Sequence, residues 1–77
     1  MHEVIKNFIK ENILTNKNAE FNNDTSLILS GMVDSFSVLD IMQFSEEEFK
    51  VKIPEDKVTR ADFDTVNKIV STISRFK

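Results

Sequence analysis

The sequence predicts an all-α fold, a small antiparallel bundle of three main helices plus one short helix. Three observations predict it. Apolar residues recur at steps of three and four in three separate stretches, the spacing that gathers them on one face of a helix. The 77 residues include one glycine, Gly31, and one proline, Pro54, too few for a turn-rich sheet. Apolar residues make up 40% of the chain, enough to fold one core rather than stay disordered. Residues 1–77 are read as a single domain. The chain has no cysteine, so it offers neither a disulfide nor a thiolate of its own.

The first helix is expected over residues 3–14. Val4, Ile5, Phe8, Ile9, Ile13 and Leu14 supply its apolar side, with Lys6, Lys10 and Glu11 opposite. His2 stands just before it, at a terminus expected to fray. Residues 15–26 hold four asparagines and an aspartate, which compete with helix hydrogen bonds and favour turns. A long loop to about Asp34 follows, pinned by Phe21, Leu27 and Leu29. Loops of this length in small domains often carry function.

The second helix is expected over residues 35–48, with Asp34 or Ser35 as its cap. Val38, Ile41, Met42, Ser45 and Phe49 form one stripe, while Phe36, Leu39 and Phe44 lie off it. Two readings of the extra apolar residues stay open: neighbours on two sides of a central helix, or a partly exposed contact patch at Phe36 and Leu39. Residues 51–54 read as an extended linker stopped by Pro54. A short helical turn is expected around residues 60–63. The last helix starts after Asp64 or Thr65, with Val66, Ile69, Val70, Ile73 and Phe76 as its stripe.

Charge is segregated along the chain. Residues 31–49 carry five acids and no base, whereas residues 50–77 carry seven bases against four acids. The acidic helix argues against nucleic acid as a partner, because phosphate backbones need a basic footprint. It suits proteins with basic docking patches, or it is simply a solvated face. No apolar run is long enough to cross a membrane, and the N-terminus lacks a signal-peptide core. A cytoplasmic monomer without membrane insertion is therefore expected. No His, Cys, Asp and Glu cluster has metal-site spacing, and no Gly-rich loop could cradle a nucleotide.

The segment Gly31-Met32-Val33-Asp34-Ser35-Phe36 joins the long loop to the acidic helix. Gly31 permits a positive φ or close backbone approach. Ser35 reads either as an ordinary cap or as a surface hydroxyl where a helix N-terminus would favour an attached phosphate. Only His2 could serve as an imidazole base, so a hydrolytic triad and catalytic residues in general are not expected.

This segment resembles the Gly-x-x-Asp-Ser signature of the acyl carrier and peptidyl carrier protein family. Further elements follow in the family's order: Glu46-Glu47-Glu48-Phe49, then Ile53-Pro54-Glu55-Asp56, then Phe63-Asp64-Thr65-Val66. Asp62-Phe63-Asp64-Thr65-Val66-Asn67-Lys68-Ile69 is also similar to stand-alone aminoacyl and D-alanyl carriers. The resemblance implies a 4'-phosphopantetheine arm, taken from coenzyme A, on Ser35. It implies that Asp34 helps bind the metal ion of the phosphopantetheinyl transferase, and that the chain holds no metal itself. It places Phe36, Leu39, Asp40, Glu46 and Glu47 on the partner-facing side of the recognition helix. Phe36 departs from the usual Leu or Met, Ser45 from a buried aliphatic, and Phe44 from a small residue. The implied role is a non-enzymatic shuttle of acyl or aminoacyl thioesters. An adenylating ligase or acyltransferase would load it, and downstream acyl-accepting enzymes would unload it, in fatty-acid or specialised metabolism. The competing reading is a small helical interaction or regulatory protein without a prosthetic group, displaying Phe36 and Leu39.

Overall fold

The computed structural model describes residues 1–14 and 20–77, and the expected loop residues 15–19 lie outside them. Helix α1 spans His2–Phe8 and widens into a π-helical turn at Ile9–Ile13. The expected α-helix over residues 3–14 is corrected here. The Leu14 amide donates to the Ile9 carbonyl at 3.0 Å, five residues back. The wider turn rotates Leu14 under Ile9, so Ile5, Ile9 and Leu14 are buried while Ile13 stays half-exposed. A regular helix would have carried Ile13 inward instead.

Helix α2, Ser35–Phe49, runs one residue past its expected end. Its buried side is Val38, Ile41, Met42 and Ser45. The Ser45 hydroxyl donates to the Ile41 carbonyl at 2.7 Å, which satisfies a polar group inside the core. Phe44 is half-buried and stacks on Phe8 with ring centroids 4.0 Å apart. Lys50 closes the helix in the left-handed conformation that glycine usually supplies there, φ 55°. The Val51 amide also donates to the Glu46 carbonyl, at 3.2 Å.

Residues 51–54 are extended, as expected, and bury Val51 and Ile53. Two short 3₁₀ turns follow, Glu55–Lys57 and Arg60–Phe63. The second is the short helix read from the sequence; the first was not anticipated. Phe63 is fully buried, and burying such a side chain is worth about 1.5–3 kcal/mol. Helix α3, Val66–Phe76, is capped by the Thr65 hydroxyl, which accepts from the Lys68 amide at 3.0 Å. Val66, Ile69, Thr72 and Ile73 are its buried side, with Val70 and Phe76 packed at the margin. The described residues form no strand, and the all-α architecture of three main helices is the predicted one.

One expectation about the loop is corrected. Leu29 does not pin it; the side chain is 88% exposed, while Phe21 and Leu27 are buried. At the N-terminus, His2 Nε2 donates to Asn67 Oδ1 on α3 at 2.9 Å. Asn67 in turn donates to Asp24 at 2.6 Å, so both the N-terminus and the loop are fastened to α3.

Candidate functional site

The site is built where the loop enters α2. Asp64, an expected helix cap, staples the loop instead. Its Oδ1 accepts from Ser26 Oγ at 2.8 Å and from the Ile28 amide at 3.1 Å. Its carbonyl accepts from the Leu27 amide at 2.7 Å. A turn over residues 27–31 follows, and Gly31 leaves it with φ 81°. A Cβ there would meet nothing within 4 Å, so the backbone conformation and not space calls for glycine. The Val33 amide then returns to the Leu27 carbonyl at 3.0 Å and buries Val33.

Asp34 caps α2, and Ser35 is its first residue. Asp34 Oδ1 accepts the Ser37 amide at 2.8 Å. That backbone bond, with help from the Ser37 hydroxyl, holds the Asp34 carboxyl below the ordinary aspartate range. Ser35 is exposed, and its hydroxyl accepts from the Arg60 guanidinium at 2.6 Å. Arg60 opens the second 3₁₀ turn. The turn is closed by the Asp62 carboxylate on the Thr59 amide at 2.8 Å, and anchored by buried Phe63.

Two clefts meet at Ser35 and Arg60. One, of about 320 Å³, is lined by Ile28, Gly31, Val33 and Asp34. The other, of about 300 Å³, runs between α2 and the 3₁₀ turns past Val38, Leu39, Met42 and Val58. Phe36 is 79% exposed and Leu39 51%, so the first turns of the acidic helix show apolar surface directly after the serine. Asp40 and Glu47 are exposed on the same side and line a third groove, of about 360 Å³, with Phe8 and Phe44.

Glu46 stands apart from these. Its carboxylate accepts the Ile53 amide at 2.9 Å and ties the extended linker to the end of α2. Its first partner is therefore inside this chain, whereas Asp40, Glu47 and Glu48 are exposed. Arg60 is the residue that sequence reading missed, since it is 25 positions from Ser35 and carries no local signal for that contact. The Thr59-Arg60-Ala61-Asp62 pattern does encode the turn that places it.

No protein-family model matches the chain. A D-alanyl carrier protein of Streptococcus uberis is 32% identical over 54 residues, which cover 70% of this chain and 68% of that protein. The chain belongs to the carrier-protein family. A second relative, the D-alanyl carrier protein of Lactobacillus helveticus, is 29% identical over 62 residues, covering 80% of this chain and 78% of the relative. In this carrier-family chain the Asp-Ser pair sits at the exposed start of α2, with Ser35 open to solvent. No helix among the described residues is long and apolar enough to cross a membrane, and among them no group of His, Asp and Glu side chains is arranged to hold a metal.

Proposed function

We propose that this chain carries acyl or aminoacyl groups as thioesters on a 4'-phosphopantetheine arm at Ser35, and passes them between enzymes. The observation that supports it best is the exposed Ser35 hydroxyl at the head of α2, between two open clefts. The residues present suit such an arm. Asp34 is turned back onto the Ser37 amide, so its carboxylate caps the helix and does not occupy the hydroxyl. The clefts leave room for a substituent on either side. The arm would supply a terminal thiol, which a cysteine-free chain lacks.

Ser35 is the nucleophile in attachment and nothing more. Its Oγ forms a phosphate ester with the pantetheine half of coenzyme A, adenosine 3',5'-bisphosphate leaves, and the proton passes to a base on the transferase. Asp34 would offer its ionised carboxylate to the Mg²⁺ of the transferase. The partner of the hydroxyl in this chain is a guanidinium, which donates protons and cannot act as a base. That favours a carrier over a serine hydrolase. Phe36, Leu39, Asp40 and Glu47 form the docking face, and exposed charge there speeds encounter and selects basic partners.

Both relatives are named as D-alanyl carriers, which makes D-alanine the first cargo to test. The partners on this reading are a phosphopantetheinyl transferase, an adenylating ligase and an acyl-accepting enzyme. The test supplies the arm-bearing chain with ATP, D-alanine and a D-alanine-activating ligase, with a fatty acid and its ligase in parallel. A mass gain of one alanyl group, released by hydroxylamine, is the expected result. A gain with the fatty acid alone would reassign the cargo. A chain that never accepts the arm would leave the exposed Phe36 and Leu39 to a helical interaction protein.

A further inference from the structure

We infer that Arg60 is the positioning residue for the phosphate of a Ser35-linked arm: its guanidinium leaves the serine hydroxyl and grips the phosphodiester oxygens. The inference rests on the reading of Ser35 as the attachment site. Arg60 Nη1 already lies 2.6 Å from Ser35 Oγ, the atom that would bear the phosphorus. Among the described residues no carboxylate lies within ion-pair distance of Arg60, whereas Arg75 has Asp62 at 3.8 Å. In a chain with 13 acids this guanidinium is spent on a neutral hydroxyl. A guanidinium matches two phosphate oxygens at once, and such charge-assisted bonds are about twice as strong as neutral ones.

The scaffold behind Arg60 supports that role. Its 3₁₀ turn is closed by Asp62 on the Thr59 amide and anchored by fully buried Phe63. The Asp62 carbonyl also lies 3.2 Å from the Thr72 hydroxyl of α3. Arg60 therefore projects from a fixed base and borders both clefts at Ser35. Holding the phosphate there would fix where the arm begins and leave its far end to move.

The experiment uses the full chain with isotope-labelled arginine, before and after phosphopantetheinylation, with intact mass confirming complete loading. Loading is expected to shift the Arg60 side-chain NMR signal and slow rotation of its guanidinium. The phosphorus resonance of the loaded Arg60→Gln variant is expected to differ from wild type and to narrow as the arm loosens. An Arg60 signal indifferent to loading in the fully loaded wild type overturns the inference and leaves Ser35 as the attachment site. So does a phosphorus resonance identical in wild type and Arg60→Gln. A wild-type chain that takes no arm at all overturns the Ser35 reading together with this one. If Arg60→Gln resists loading, the wild-type arginine signal alone decides.

Discussion

At Asp34 one carboxylate closes α2 and sits beside the serine that the function needs. Its bond to the Ser37 amide favours the ionised form, so its pKa is lower in the folded chain than in the unfolded one. The unfolded chain then binds more protons through the acid range, and stability falls as pH falls. The contribution is complete above the ordinary aspartate value of about 3.9 and is lost as pH drops through the lower folded value. Asp34→Ala is therefore expected to lower the melting temperature near neutral pH. The gap to wild type should shrink in the acid limb, followed by circular dichroism. A gap that stays constant with pH would show that the charge contributes nothing to the cap. The sequence marked both Asp34 and Ser35 as capping residues, because either type can accept an amide. Only the backbone geometry assigns the cap to Asp34 and frees Ser35. Leu29 was misread for a simpler reason: composition marks it apolar, but the turn over residues 27–31 points it outward, at 88% exposure.

At the scale of elements, the apolar stripes of α2 and α3 were legible because a helix repeats its faces every 3.6 residues. The π-helical turn after α1 was not, since Ile13 and Leu14 are both apolar and either could fill the core. The acids of α2 also divide in a way the sequence does not reveal. Glu46 and Glu47 are neighbours, yet Glu46 holds the Ile53 amide and Glu47 faces solvent. Glu46→Ala leaves a partly buried amide without its partner, a loss on the order of 1–2 kcal/mol. Glu47→Ala should stay within about 0.5 kcal/mol of wild type. Urea unfolding of the two variants separates them, and equal midpoints would dissolve the distinction. Charge reversal aimed at docking therefore belongs at Asp40 and Glu47, where a loss of transfer is not confused with a loosened helix end.

Across the whole molecule the arrangement depends on contacts between distant parts of the chain. Asp64 ties the loop before α2 to the start of α3, and Arg60 reaches Ser35 from the turn between them. These contacts span 38, 36 and 25 positions, beyond the range of any local pattern. The motif at Gly31–Ser35 was readable as a candidate site, while its cationic neighbour was not. The acidic α2 and the basic C-terminal segment likewise meet at this point, since Arg60 belongs to the basic part and Ser35 to the acidic one. The proposed shuttle requires that Ser35 accept a phosphopantetheine arm. The most direct measurement is intact mass after incubation with a broad-specificity phosphopantetheinyl transferase, coenzyme A and Mg²⁺, alongside Ser35→Ala. One phosphopantetheine increment is expected on the wild type and none on Ser35→Ala, with matching circular dichroism spectra. An unmodified wild type, beside a known carrier that is modified in the same mixture, or an increment that survives in Ser35→Ala, would contradict it.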